Sequence, residues 1–174
     1  VLSTLVVFRK DITLILKGML KFEWNADWQF AVKIAISMIP VTILGLFFAD
    51  QIESFFDGKI AFVGFMLLFT GGLLLVTTFV KHGKKDVGFH HSILIGIAQA
   101  IAVLPGISRS GSTIATGLIL GIDRPKVARF SFLMVIPPIL GKTALDLKDL
   151  ISEGAAGDPQ VASLSFGFVA AFIT

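Results

Sequence analysis

Residues 104–113, LPGISRSGST, hold Arg109 with the hydroxyls of Ser108, Ser110, Ser112 and Thr113 between two apolar stretches. A guanidinium is a planar fork of donors that matches two oxygens of a phosphate in a bidentate way. The four hydroxyls add donors around it, and Gly106 and Gly111 let backbone N–H groups come close to a ligand. No carboxylate lies near Arg109 in sequence; the next downstream is Asp123. A helix opening after the loop would aim its orphan amides and positive dipole end at the same point. These residue types in this order predict a phosphate site. Arg109, Ser108 and Thr113 are its expected catalytic groups, and Ser110, Gly106, Gly111 and Ser112 its expected binding groups.

Two other readings explain less. GISRSGST fits the spacing of a P-loop, but Ser112 stands where that motif needs lysine, and the preceding segment reads as a helix rather than a strand. A broken membrane helix whose hydroxyls bond their own backbone accounts for the serines. It leaves Arg109 without a reason.

The elements that must position this loop belong in a bilayer. Of 174 residues 55% are hydrophobic and 16% charged, with a mean hydropathy of +0.88. Soluble domains carry roughly 25% charge. Residues 60–80 contain no charge and residues 28–49 only Lys33, and about 20 apolar residues suffice to cross a hydrocarbon core. The reading is an all-α, polytopic integral membrane protein, a single membrane domain over 1–174. Spans are expected at 28–49, 60–80 and 125–147, an interfacial helix at 9–24, and a truncated span at 161–174. The chain opens on VLSTLVVF and stops within SLSFGFVAAFIT, so it reads as the middle of a longer protein. The absence of cysteine excludes disulfides and thiolate metal sites. The net charge of +3 reports topology rather than a nucleic-acid partner, because ten of the fifteen basic residues fall in three clusters, at 9–21, 81–85 and 124–129.

Those clusters predict orientation. By the positive-inside rule, 9–24, 81–89 and 122–129 lie in the cytoplasm, and the acidic loops 50–59 and 148–158 lie outside. Residues 90–122 then enter and leave by one face, as a re-entrant hairpin with PGISRSG at its tip. Arms of 12 and 9 apolar residues (93–104 and 114–122) reach ~18 and ~14 Å, about half the membrane. Irregular backbone at that depth must be buried in protein or line a watery cavity. An arginine there costs at least ~2.5–3.5 kcal/mol and is functional by default. Half-helix termini facing an anion at mid-membrane also describe secondary transporters, so a transporter or flippase of a phosphate-bearing lipid is the alternative.

The segment IGIAQAIAVLPGISRSGSTIATGLILGIDRPKVARFSFLMVIPPILG (95–141) resembles the second signature region of the undecaprenyl-diphosphatase family, the bacitracin-resistance membrane phosphatases of bacteria. An IG-x-x-Q helix, a PG-x-SRSG-x-T loop and an ARFSF-L-x-x-IP helix stand in that order. FRKD, IPVTILGLFFADQIESFF and GGLLLV resemble the intervening helices. The resemblance implies hydrolysis of undecaprenyl diphosphate to the monophosphate carrier lipid of peptidoglycan synthesis. It implies two inverted-topology repeats around a cavity open to the extracytoplasmic side of the plasma membrane. By match, Arg109 would bind the diphosphate, with Ser108, Ser110 and Thr113 lining the site and Gln99 contributing from the preceding arm.

The family's first signature, a glutamate-rich stretch with a serine loop and a histidine, has no counterpart in the chain. Its carboxylates are the expected acid/base groups and the expected ligands of a divalent cation, Mg or Ca, so no metal ligand is assigned among these residues. Glu23, Glu53 and Glu153 read as loop or interface residues, and His82, His90 and His91 belong to the basic cluster. These residues alone are therefore expected to be inactive. The nucleophile stays open between a loop serine and an activated water. The SR-x₅-H signature of other membrane phosphatases is excluded, because Ala115 stands at the histidine position. The expected partners are a polyprenyl diphosphate and the bilayer, and the reading leaves room for a homodimer.

Overall fold

The computed structural model describes residues 6–20, 24–48, 51, 52, 55, 60–81, 83–152 and 166–171. Its principal helices are α1 (Arg9–Leu20), α2 (Ala26–Phe47), α3 (Ile60–Phe79), α4 (Phe89–Ile101), α5 (Arg109–Ile119) and α6 (Arg124–Ser152). Among the described residues three helical stretches are long and apolar enough to cross a membrane: Ala26–Phe47, Ile60–Phe79 and Arg124–Leu145. The chain is a multi-pass membrane protein.

The 13 residues of α4 and the 11 of α5 reach only ~20 and ~17 Å, short of a ~30 Å hydrocarbon core. The predicted hairpin over 90–122 is thus two half-length helices joined by the non-helical residues 102–108. Of the interfacial helix predicted over 9–24 the structure describes the helical residues Arg9–Leu20, and Glu23, Glu53, Glu153 and His82 lie outside the described residues. So does most of the span predicted over 161–174, of which residues 166–171 are helical.

The chain divides into two compact units, Lys10–Met134 and the two ends Val1–Arg9 with Val135–Thr174. In the second unit α6 carries Pro137 and Pro138. Neither supplies an N–H, so the carbonyls four residues earlier lose their helical donors.

Within the larger unit, α4 packs on α2 and α5, and α5 packs on α3. Asn25 starts α2: its side chain accepts from the Trp28 N–H at 2.8 Å and donates to the Gly18 carbonyl at 3.1 Å, tying the end of α1 to the start of α2. Gly96 lets α4 approach the backbone of α2 at Ser37, where any side chain would collide. Ile95, Val87, Ile122, Val127, Phe130 and Met134 form the core, with Phe30 set edge-on to Phe130 at 5.7 Å.

This core sits at the open end of the hairpin, and backbone bonds close that end. Lys85 donates to the Gly121 carbonyl at 3.2 Å, and the Asp123 N–H donates back to Lys85 at 3.0 Å. The segment entering α4 and the segment leaving α5 are therefore paired side by side. Charge adds to the closure through Lys126–Asp86 and Arg129–Asp11, the latter at 2.7 Å. The hydrogen bond from Lys126 holds the Asp86 carboxyl below its usual range. That pair therefore stays charged above the ordinary carboxylate pKa and is lost only as pH falls through the lowered value.

His91 has a structural task at the same end. Its Nδ1 accepts the Gly88 N–H at 3.0 Å, at the start of α4, while His90 is exposed.

Candidate functional site

The hairpin tip is held by backbone geometry and by α3. Turns carry the chain out of α4, with the Val103 N–H on the Ala100 carbonyl and the Ile107 N–H on the Leu104 carbonyl. Between them Gly106 takes φ +92°, in the region that L-residues avoid. The same glycine lies against α3, where a Cβ would meet the Val63 carbonyl oxygen at 2.6 Å. The close approach that Gly106 permits is to a neighbouring helix.

Thr70 of α3 completes the anchorage. Its buried hydroxyl lies 3.0 Å from the Met66 carbonyl and 3.4 Å from the Gly106 carbonyl, and it accepts the Ser108 N–H at 3.3 Å. One side chain thus holds both sides of the loop just ahead of Arg109.

Ser108 caps α5, its Oγ accepting the Gly111 N–H at 3.1 Å. A side chain on Gly111 would press on that same Oγ. Arg109 is the first residue of α5 and is half-buried. Among the described residues its guanidinium has no ion-pair or hydrogen-bond partner. The backbone N–H groups of Arg109 and Ser110 are likewise unpartnered among the described residues, as first-turn amides are by construction. Ser108 and Ser110 are exposed beside them. A guanidinium, two free amides and two open hydroxyls at a helix N-terminus can together receive an anion with several oxygens.

The remaining predicted groups face inward. Thr113 is only 1% exposed, and its Oγ1 meets Ser131 Oγ of α6 at 2.6 Å and the carbonyls of Arg109 and Ser110 at 3.0 and 3.2 Å. Ser112 is buried and, among the described residues, its Oγ has no partner. Gln99 is 1% exposed, and both its amide atoms are unpartnered among the described residues. The physical reason is helix packing: Ser112 and Thr113 lie on the face of α5 that its neighbours cover, whereas Ser108 and Ser110 at its opening stay exposed. Thr113 and Ser131 join α5 to α6 and so fix the direction in which the α5 N-terminus points.

Across the whole chain, residues 1–174, the sequence fits the family model described as "Bacitracin resistance protein BacA". The chain belongs to this family. It is 53% identical over 172 residues to an undecaprenyl-diphosphatase of Christiangramia forsetii, covering 99% of this chain and 64% of that protein. It is 49% identical over 176 residues to one of Bacteroides fragilis, covering 100% and 66%. A more distant relative of the same description, from Methanobrevibacter smithii, is 40% identical over 144 residues, covering 81% and 51%. The chain thus spans just under two thirds of the length of the first two relatives.

A divalent cation does not fit the BacA-family residues that the structure describes. Among them no three His, Asp or Glu side chains gather closely enough to hold one. Thr70 and Ser131 are the site residues that sequence reasoning missed. Thr70 sits in a charge-free span and Ser131 in ARFSF, and only their long-range contacts mark them out.

Proposed function

We propose that the full-length protein removes the terminal phosphate of undecaprenyl diphosphate and so regenerates the monophosphate carrier lipid for peptidoglycan synthesis. The observation that carries this reading is the Arg109 guanidinium beside the amides of Arg109 and Ser110, all without partners among the described residues, on a chain whose relatives are described as undecaprenyl-diphosphatases. Arg109 would clamp the diphosphate and stabilise the charge that develops as the anhydride bond breaks. The two amides would hold further oxygens. Ser108 Oγ already accepts the Gly111 N–H, which suits a hydroxyl that orients and donates more than one that attacks. Water is then the nucleophile. Its base would come from elsewhere in the longer chains of the family, as would the second inverted repeat.

Release of inorganic phosphate from a polyprenyl diphosphate by the purified full-length protein, in detergent and without any gradient, is the expected result. Gradient-driven lipid movement without phosphate release would replace this reading with a transporter.

The pairing of Lys85 with Gly121 and Asp123 supports a re-entrant hairpin, since both of its ends must then lie on one face of the membrane. We expect cysteines placed at the exposed positions Lys84 and Pro125 to react with a membrane-impermeant maleimide from the cytoplasmic side only. The chain has no cysteine of its own to confuse the readout. Labelling from opposite sides would end the re-entrant reading and, with it, the placing of the tip toward the extracytoplasmic face.

Thr70 supplies a milder test. Thr70→Val keeps the shape but leaves the Ser108 N–H without its acceptor. An unmet buried donor costs about 1–3 kcal/mol, and ~1.4 kcal/mol carried into the transition state is about tenfold in rate. Turnover should fall roughly 10-fold in a protein that still folds, and Thr70→Ser should recover most of it. Equal turnover in Thr70→Val and wild type would remove Thr70 from the site.

A further inference from the structure

A second cavity, of about 560 Å³, lies at the opposite end of the hairpin from Arg109. It is lined by Thr77, Thr78 and Val80 at the end of α3, by Lys81 just beyond, by Leu118 at the end of α5, and by Arg124 at the start of α6. Among the described residues no acidic side chain lines it. Neither Lys81 nor Arg124 has an ion-pair partner among the described residues, whereas the nearby Lys126 and Arg129 are spent on Asp86 and Asp11. Two cations without an ion-pair partner among the described residues therefore line one hollow.

The position of the hollow decides what would fill it. Thr77 and Thr78 close a 20-residue apolar span, which puts them at the level where hydrocarbon gives way to headgroups. Leu75, Val76 and Phe79, on the same last turns of α3, are 61%, 50% and 80% exposed and offer a surface for acyl chain. The threonine hydroxyls donate to the helix carbonyls of Leu74 and Leu75 at 2.6 and 2.7 Å, so their protons are already in use. An anion in the hollow would be held by the ammonium and the guanidinium. We propose that this cavity binds the phosphate of an anionic phospholipid headgroup from the surrounding leaflet, as a site separate from the hairpin tip.

A diffuse attraction between a basic surface and anionic lipid follows from charge alone, so the experiment must separate a site from a field. The purified full-length protein in a neutral detergent is titrated with phosphatidylglycerol, phosphatidylcholine or inorganic phosphate, and its melting temperature is followed. Phosphatidylglycerol at saturation should raise it by roughly 5 °C, and the other two should not. Lys81→Gln/Arg124→Gln should abolish the rise and the copurified phosphatidylglycerol seen by native mass spectrometry. Lys10→Gln/Lys84→Gln removes equal charge outside the cavity and should retain both. Phosphate release should be unchanged in either double variant, so this test stands apart from the proposed activity. An equal loss in the two double variants, a rise that survives Lys81→Gln/Arg124→Gln, or an equal rise with inorganic phosphate would each overturn the proposal.

Discussion

Arg109→Lys is expected to slow phosphate release from a polyprenyl diphosphate roughly 10- to 100-fold, with little change in stability. The substitution keeps the positive charge but loses the planar fork and its second donor. One charge-assisted hydrogen bond contributes about 1.5–3 kcal/mol, and each ~1.4 kcal/mol lost at the transition state is a decade in rate. Arg109→Ala removes both prongs and the charge, so the loss should reach roughly 100- to 10,000-fold on the same scale. The fold should tolerate either change. The guanidinium is half-buried and unpartnered among the described residues, so nothing in them is orphaned by its removal. The measurement is turnover of purified full-length variants at equal folded concentration, with Lys84→Gln as the control for lost positive charge. Wild-type turnover by Arg109→Lys would place the phosphate site elsewhere.

Much of the architecture was readable from composition because the bilayer imposes a simple rule. Apolar runs of about 20 residues must span, and Ala26–Phe47 and Ile60–Phe79 differ from the expected spans by two residues or fewer at either end. Basic clusters on both sides of 90–122 carry only the proposal that the segment returns to the face it left. The backbone pairing of Lys85 with Gly121 and Asp123 is the local geometry such a return requires. No periodicity announces that pairing, since it joins two short loops through main-chain atoms alone.

The site was legible in a different way. Arg109 and Ser108 could be singled out because a charge and a capping serine in an apolar stretch need a reason. Which hydroxyls stay open was not legible. Ser110 and Ser112 look equivalent on paper, yet one is exposed and the other buried without a partner. That distinction depends on which face of α5 its neighbours cover. Likewise the sequence reading assigned Gly106 to ligand approach, whereas the structure presses it on α3. A glycine signals that something comes close, but not what.

That glycine carries the other large effect. Gly106→Ala should destabilise the protein and abolish turnover together, because position 106 fixes the tip in two independent ways. At φ +92° an L-residue pays about 1–2 kcal/mol in left-handed strain. Its Cβ would also meet Val63 O at 2.6 Å and Met66 Cβ at 3.0 Å, and overpacking of that kind costs about 1–3 kcal/mol. Both contacts are to helix backbone or to an atom next to it, so neither can swing away as a flexible side-chain end would. The sum, about 2–5 kcal/mol, corresponds to a fall in melting temperature of roughly 4–20 °C. The loop would have to lift from α3, breaking the Thr70 contacts with Gly106 and Ser108 and turning the α5 N-terminus away from its ligand. Gly45→Ala is the matched control. It lies within α2 with open space around the new methyl, and alanine favours a helix over glycine by about 1 kcal/mol, so that variant should be neutral or slightly more stable. The melting temperature and phosphate release of both variants decide the matter. Should Gly106→Ala melt and turn over like wild type, the tip does not rest on α3 as described, and the orientation of Arg109 would have to be rebuilt from another anchor.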